Sequence, residues 1–399
     1  MATQDPETER SVCVVSAGNA AHAMVPLFRF KGFQVRWWAP FEDEAERLQR
    51  AAQEQRFVQA DFAKECEPCG VLKGVSEVIS KDAKDVIAQS DIIVMPLPSF
   101  AYRSTLELLK PHLREGQVVI VTPAQGGFDW IAKEVLGDSA NGVVFAGVLP
   151  MPFNCRTIEF GKKVHVQTLK KAYKVGVFPN DNPQTISEVE HITNSLFGGK
   201  CEYAGHFINC SLYPLNAVIH PQRLYVLLQD WKHGDILKDN PLFYEQVDKA
   251  STSLMESVNR ELINFSTVLG EARPDLHVNV PTMLGFLNFA YQLEEPDLKT
   301  MFQKNPAYIG FKCPYIKVDG GFVPNLDSRY FTEDIPLGLC LYKGVAELVG
   351  VKTPTIDKVI AFMQEKMGKE YIKQGRLVGK DVGETTAPQR FGITNVNEL

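Results

Sequence analysis

Hydrophobic positions in the first half of the chain fall into short β-rich runs at residues 11–15, 34–38, 92–95, 118–121 and 143–148. Between them, segments 20–31, 43–53, 102–109 and 128–136 carry their apolar residues on one helical face. Strand, helix and strand within residues 11–38 make a βαβ start, and continued alternation predicts a parallel sheet covered by helices on both faces. Shorter runs at 164–166 and 175–177 carry the pattern to a helix ending near Phe197, before Gly198-Gly199. Beyond Tyr203 the texture changes. Stretches of helical periodicity at 207–219, 241–269, 337–349 and 354–369, separated by Pro and Gly, replace the β-rich runs. The longest irregular segment is 312–334, with Asp319-Gly320-Gly321. Long loops in compact domains often carry function.

The first strand runs into Ser16-Ala17-Gly18-Asn19-Ala20-Ala21-His22, where a Rossmann fold places Gly-x-Gly-x-x-Gly/Ala. Ser16 stands in place of the first glycine. Gly18 lets the backbone approach a pyrophosphate, Ala21 permits close helix-to-strand packing, and the helix N-terminus offers free N–H groups and a positive dipole end. Ser16, Ala17, Gly18, Asn19, Ala20 and Ala21 are therefore the candidate dinucleotide-binding residues. NAD-selective folds carry an acidic residue about 20 positions further on, against the ribose hydroxyls. Here that count lands on Trp38-Ala39-Pro40; Glu42 and Asp43 read as the start of the next helix, and no nearby Arg cluster declares a 2′-phosphate pocket. This segment leaves the choice of NAD or NADP open. The expected architecture is an α/β Rossmann domain with a parallel sheet over residues 1–205 and a mostly α-helical domain over 206–399, two rigid units hinged near Gly205.

Composition narrows the classes of function. With 42 Lys and Arg against 48 Asp and Glu, the net charge is -6. No basic cluster offers a nucleic-acid face. Residues 1–10 are polar and acid-rich, unlike a signal peptide, and no apolar run reaches the roughly 18 residues of a membrane span. A soluble cytoplasmic protein is expected. Of 8 cysteines, only Cys66 and Cys69 form a Cys-x-x-Cys. They lack the further ligands that zinc needs and a thioredoxin-like context, so reduced thiols and no metal are expected, with no role assigned to the pair.

His220 lies in Tyr213-Pro214-Leu215-Asn216-Ala217-Val218-Ile219-His220-Pro221, at the end of an apolar helical run and before a proline expected to stop it. Taken alone, it reads as a satisfied core histidine. Ser328-Arg329-Tyr330-Phe331-Thr332-Glu333-Asp334-Ile335-Pro336, taken alone, reads as a helix N-terminus with acidic residues on the dipole and Arg329 paired to Glu333 one turn on.

Four segments together change the picture: Asn19-Ala20-Ala21-His22, Val218-Ile219-His220-Pro221, Val318-Asp319-Gly320-Gly321 and the run from Arg329 to Pro336. Through them the chain resembles, over nearly its whole length, the opine dehydrogenases of marine invertebrates, the octopine dehydrogenase type. The late motif is the most specific, and it continues in Lys343-Gly344-Val345-Ala346, Lys369-Glu370-Tyr371, Gly379-Lys380-Asp381-Val382 and Pro388-Gln389-Arg390. The resemblance implies NADH-dependent reduction of the imine formed between pyruvate and an amino acid, giving an N-(1-carboxyethyl) amino acid. In anaerobic muscle this reaction stands in for lactate formation. It also implies a monomer with small-molecule substrates.

The residues suit that chemistry. His220, oriented by Asp334, would manage protons near neutrality. Arg329 offers a planar fork for the pyruvate carboxylate or for the cofactor pyrophosphate. The resemblance places Gln125 beside the keto acid and aligns Cys155 with a cysteine near the amine pocket, a position that burial alone also explains. It further sets Leu149 and Met283 where arginine-using members carry an acidic residue and a tryptophan, and Asn216 where they carry a tyrosine. The expected amine is therefore small: alanine, glycine, β-alanine or taurine, with the tauropine-, alanopine- or strombine-forming members as models. Trp231 and Phe286 are the other aromatics that could serve the amine. The competing readings are a two-domain 2-hydroxy acid or sugar-acid dehydrogenase with no amine substrate, and a non-catalytic nucleotide-binding relative.

Overall fold

The computed structural model describes residues 10–179 and 182–399, and the polar start ahead of Arg10 lies outside them. The chain divides into two compact units. One gathers the described residues up to Ala124 together with Ile131–Cys210; the other comprises Gln125–Trp130 and Ser211–Leu399. Gly205 lies within the last strand of the first unit, so the division comes just after it, and Gln125–Trp130 joins the second unit although it sits early in the sequence.

In the first unit an eight-stranded sheet is built from β1 (Ser11–Val15), β2 (Gln34–Trp38), β5 (Val78–Ser80), β6 (Ile92–Met95), β7 (Val118–Val121), β8 (Val144–Leu149), β11 (Ala172–Phe178) and β12 (Lys200–His206), in the order β12-β11-β8-β7-β6-β1-β2-β5. All neighbours are parallel except β11 and β8, which run antiparallel. Helices α1 (Asn19–Phe30), α2 (Glu44–Gln55), α3 (Tyr102–Leu109) and α5 (Pro183–Phe197) belong to this unit, and α4 (Phe128–Leu136) begins in one unit and ends in the other. This is the α/β fold expected from the alternation. A second sheet was not expected. It has the order β4-β3-β10-β9, formed by β3 (Val58–Phe62), β4 (Gly70–Gly74), β9 (Phe153–Glu159) and β10 (Lys163–Leu169).

Helix α1 is packed between the two sheets, and its residues from Ala21 to Phe28 are buried. Burial on both sides explains why it lacks the polar face of an ordinary surface helix. The contact is close enough to demand glycine at one place. A Cβ on Gly74 would stand 2.5 Å from the Pro26 Cα, backbone against backbone.

The division falls within the short helix α6 (Ile208–Leu212), and the second unit holds α7 (Asn216–Leu228), α8 (Lys249–Ala272), α9 (Met283–Tyr291), α10 (Leu298–Lys304), α11 (Arg329–Thr332), α12 (Cys340–Leu348) and α13 (Pro354–Met367), with one hairpin of β13 (Tyr315–Val318) and β14 (Gly321–Pro324). Its α-helical character agrees with expectation, but two boundaries do not. The helix expected at 207–219 is instead broken between Leu212 and Asn216, and α7 then continues through Pro221 to Leu228. Proline removes the N–H that would bond the carbonyl one turn back, at Ala217. The buried Gln222 amide, oriented to donate, takes over that carbonyl at 3.2 Å and the Val218 carbonyl at 2.9 Å. The helix expected to begin at 241 starts only at Lys249, where Asp248 caps it by accepting from the Ser251 N–H at 2.8 Å. Residues 241–248 are an irregular loop.

None of the eight cysteines forms a disulfide; Cys66 is buried and Cys69 exposed. Among the described residues no helix is long and apolar enough to cross a membrane, and no cluster of His, Cys, Asp and Glu is arranged to hold a metal ion.

Gly74→Ala is expected to lower stability by about 1–3 kcal/mol, the cost of forcing atoms into a closed contact. Denaturant unfolding checks it against Gly383→Ala, where a Cβ meets nothing within 4 Å. Equal midpoints for both variants would mean that α1 and β4 are not in contact.

Candidate active site

The strand-to-helix turn of the first unit is held in an unusual conformation. Ser16 adopts a φ of 69°, the left-handed region that a glycine enters without cost. Two short bonds hold it there: its N–H donates to the Trp38 carbonyl at 2.7 Å, and its own carbonyl accepts from the Trp37 indole at 2.6 Å. Gly18 then precedes α1, which has no side-chain cap and no acidic residue in its first turn. A Cβ on Gly18 would meet nothing nearer than the Ser16 Oγ at 3.9 Å, so the missing side chain leaves room above the helix end. An uncapped helix N-terminus with open space is what a pyrophosphate requires.

Several residues of this segment also anchor the turn to its surroundings. His22 is buried: its Nδ1–H donates to the Gly18 carbonyl at 2.9 Å, while its Nε2 accepts the Gly161 N–H at 2.8 Å. Burial lowers its pKa, so the ring stays neutral and pins the turn to the small sheet. Asn19 Oδ1 accepts the Thr157 N–H at 2.9 Å. Ala20 is half-buried and Ala21 buried along α1. No carboxylate stands at the end of β2, but one reaches the turn from the next helix. Glu44, in the first turn of α2, accepts the Ala17 N–H at 3.1 Å, and burial raises its pKa. Counting along the strand misses it because the intervening residues loop back toward the turn. Cys155 lies on β9 in the core of the small sheet, where burial pushes its thiol up to about 12. It is a neutral buried thiol.

In the second unit α7 presents His220, 5% exposed. The fold brings Asp334 to it across 114 residues: His220 Nδ1 donates to the Asp334 Oδ2 at 2.7 Å. Asp334 itself is buried at the start of a π-helical turn, Ile335–Leu339. Burial raises its pKa, and the facing imidazole opposes that shift. The Tyr330 ring lies flat on His220, centroids 3.9 Å apart, and the Phe243 ring meets it edge-on at 5.4 Å. With Nδ1 donating to the carboxylate, Nε2 is the acceptor, and it lies 2.9 Å from the Tyr244 hydroxyl. Tyr244 sits in the loop misread as helix, so periodicity gave no hint of it.

Arg329 keeps the local partner admitted by its spacing. Its Nε donates to Glu333 Oε2 at 2.7 Å, and the other oxygen of Glu333 lies 3.4 Å from Gln125 Nε2. The guanidinium side chain is 54% exposed while the Glu333 side chain is 3% exposed, so the pair reaches outward from a buried carboxylate. Asn216 opens α7 one turn before His220 and shares its face. Met283 opens α9, its backbone N–H on Asn259 Oδ1 at 2.7 Å and its side chain buried. Leu149, in the first unit, is fully buried. Of the alternative aromatics, Phe286 packs edge-on against Tyr213 at 4.9 Å, and the Trp231 indole donates to the Asp235 carbonyl at 3.0 Å. Both rings are committed to the core.

Two family models match the chain. Residues 11–129 match the N-terminus of NAD-dependent glycerol-3-phosphate dehydrogenase, and residues 203–367 match the α-helical domain of NAD/NADP octopine/nopaline dehydrogenase. Among curated proteins, the tauropine dehydrogenase of Arabella iricolor is 32% identical over 97% of this chain and 98% of its own. The octopine dehydrogenase of Pecten maximus is 31% identical over the same shares. Among solved structures, octopine dehydrogenase with NADH and agmatine superposes with a TM-score of 0.85 at 29% identity, covering 97% of each chain. A form with NADH and pyruvate gives 0.84 at 30% identity, also covering 97% of each chain.

The buried Asp334 carboxyl has a consequence for stability. Because burial holds its pKa above the ordinary value, its contribution to stability is complete below the ordinary carboxylate range and is lost as pH rises through the raised value. Asp334→Asn keeps an oxygen for the Nδ1–H and removes the buried charge. Its unfolding free energy at neutral pH is expected to equal or exceed that of the parent while activity falls. A loss of about 3 kcal/mol, typical when a net-stabilising buried pair is broken, would contradict this.

Proposed function

The chain belongs to the opine dehydrogenase family, and on that premise we propose that it joins pyruvate to the amino group of a small amino acid or taurine with NADH as reductant. It is an NAD-dependent oxidoreductase acting on CH–NH bonds. The observation that carries the reading at the level of residues is the buried Asp334–His220 pair. The bound nicotinamide supplies the hydride. The protein's part is to hold its carrier, position two substrates and move protons.

The Ser16–Ala21 turn and the uncapped start of α1 suit the pyrophosphate. Glu44, already on the Ala17 N–H, disfavours a cofactor bearing an extra phosphate nearby, which supports NAD over NADP. In the second unit, Asp334 fixes the His220 tautomer and supports a positive charge on the ring. His220 then takes a proton from the ammonium of the incoming amine and returns it to the oxygen that leaves as water. Arg329, its Nε edge on Glu333, turns its remaining N–H groups to an anion. The pyruvate carboxylate and the cofactor pyrophosphate both fit that role. Gln125, on the same Glu333, lies within the keto acid's polar surroundings in this reading. Catalytic groups drawn from one chain suit a monomer, and unpaired thiols suit a reducing cytoplasm.

The amine is small because the supports for a guanidinium are absent. Leu149 brings no carboxylate, Met283 no aromatic face, and Trp231 and Phe286 are committed elsewhere. A buried guanidinium without such partners is costly.

His220→Ala is expected to lower turnover by a factor of about 100 to 10,000 while NADH binding survives. Wild-type turnover in this variant would remove His220 from the chemistry. In a panel of amines with pyruvate and NADH, catalytic efficiency is expected to be highest for alanine, glycine, β-alanine or taurine. Arginine ahead of every small amine would overturn the pocket assignment. NADH oxidation with pyruvate alone, equal to that with amine present, would favour a hydroxy acid dehydrogenase.

A further inference from the structure

The geometry around His220 points to Tyr244 as a catalytic residue: we propose that its hydroxyl is the atom through which His220 Nε2 exchanges protons with the reactants. The proposal rests on the acid–base reading of His220 and adds the group standing between that ring and the substrate.

The two ring nitrogens of His220 have different surroundings. Nδ1 is committed to Asp334 at 2.7 Å, which leaves Nε2 as the nitrogen available for chemistry. Nε2 is not open. It faces the Tyr244 hydroxyl at 2.9 Å. The ring faces are closed as well, by Tyr330 stacked at 3.9 Å and Phe243 edge-on at 5.4 Å. Any proton leaving or reaching Nε2 in this arrangement meets the Tyr244 oxygen first. A hydroxyl suits that place because it both donates and accepts. It donates to Nε2 when the ring is neutral and accepts from Nε2–H when the ring is charged.

Tyr244 is also held in place with unusual thoroughness. Arg223, one turn beyond His220 on α7, is buried and spreads its guanidinium over the loop that carries the tyrosine. Its Nε donates to the Phe243 carbonyl at 3.3 Å, one Nη to the Gln246 carbonyl at 2.8 Å and the other to Ser251 Oγ at 3.2 Å. The same helix therefore carries the histidine and fixes the backbone on either side of Tyr244. The tyrosine ring packs into a three-ring cluster with Tyr308, at 4.6 Å, and Phe302, at 5.6 Å, which also touch each other at 5.2 Å. With its charge balanced by Asp248 at 3.6 Å, this buried arginine ties the loop around Tyr244 to α7 and to the start of α8.

The proton balance closes with groups on hand. An ammonium proton of the amine passes to the Tyr244 oxygen while the Tyr244 O–H proton passes to Nε2, which leaves a neutral amine to attack the pyruvate carbonyl carbon. Once the carbinolamine has formed, Nε2–H returns its proton to the tyrosine oxygen and the tyrosine proton moves to the carbinol oxygen. That C–O bond breaks with its electron pair on oxygen, water leaves, and the nitrogen lone pair forms the iminium that hydride reduces. Tyr244 is neutral before and after each transfer. Burial, reinforced by the hydrogen bond with Tyr330, drives its pKa well above the ordinary phenol value, so the hydroxyl keeps its proton at rest. The groups facing the His220 ring are Asp334 at Nδ1, Tyr244 at Nε2 and Tyr330 on the face, with Phe243 as the apolar edge.

The test is Tyr244→Phe, which keeps the ring and removes only the oxygen, measured beside His220→Ala with pyruvate, the best amine and NADH. The expected result is kcat lower by about 10- to 1,000-fold, KM for pyruvate and the affinity for NADH within about threefold of the parent, and an altered pH profile of kcat/KM. Independently of any variant, kcat of the parent enzyme in mixtures of light and heavy water should curve with isotope fraction, since protons move in concert through the hydroxyl. Unchanged kcat in Tyr244→Phe, or a straight line in the mixed-water series, overturns the relay. If His220→Ala is nonetheless slow, the acid–base role of His220 stands without Tyr244. If His220→Ala is fast as well, that role falls too.

Discussion

A carboxylate taken out of water must find a partner, and in this molecule the partner of Asp334 is the Nδ1–H of His220. The second unit is organised around that meeting. Its two members are far apart in sequence, His220 on α7 and Asp334 at the start of the turn Ile335–Leu339. Burial of Asp334 disfavours its charged form, and the facing imidazole offsets part of that cost. The pair is therefore a poor contributor to stability and a good device for chemistry, because it fixes which nitrogen of the ring faces the reaction. Tyr330, Phe243 and Tyr244 then close the remaining approaches to the ring.

The first unit meets a different constraint. Its turn leaves the first N–H groups of α1 without a side-chain cap or a side chain above them, with Ser16 in a conformation better suited to glycine. The Trp37 indole and the Trp38 carbonyl offset that local cost of about 1–2 kcal/mol. His22 and Asn19 tie the same turn to the small sheet, so residues next to the binding loop do structural work there. Under the proposed function the labour divides: one unit supplies an anion cradle, the other the proton-handling group.

Much of this was legible in the sequence where periodicity and local chemistry agree. The β1-turn-α1 unit, the large sheet and the helical second half follow from patterns of hydrophobic residues. The small sheet was not legible because its strands' neighbours are remote: β3 pairs with β10 across a hundred residues, so the run at 164–166 gave no sign of a separate sheet, and β4 opens and closes on glycine. Pro221 misled for a physical reason. A buried glutamine supplies the donor that proline lacks, a tertiary remedy that no local rule contains. The His220–Asp334 meeting was legible only through resemblance, since each segment alone admits a structural reading, and the Arg329–Glu333 bond shows such a reading to be correct at one of them. Glu44 escaped because it opens α2, past the position that counting along the strand reaches, and Tyr244 because it lies in an irregular loop.

The account turns on the tautomer that Asp334 imposes on His220. A proton–nitrogen correlation spectrum of the His220 ring in the intact protein, at neutral pH, reads it directly. The account predicts a proton on Nδ1, strongly deshielded by its short bond to the carboxylate, and an unprotonated Nε2, with the Nδ1 signal shifted in Asp334→Asn. A neutral ring with its proton on Nε2 and a bare Nδ1 would contradict it.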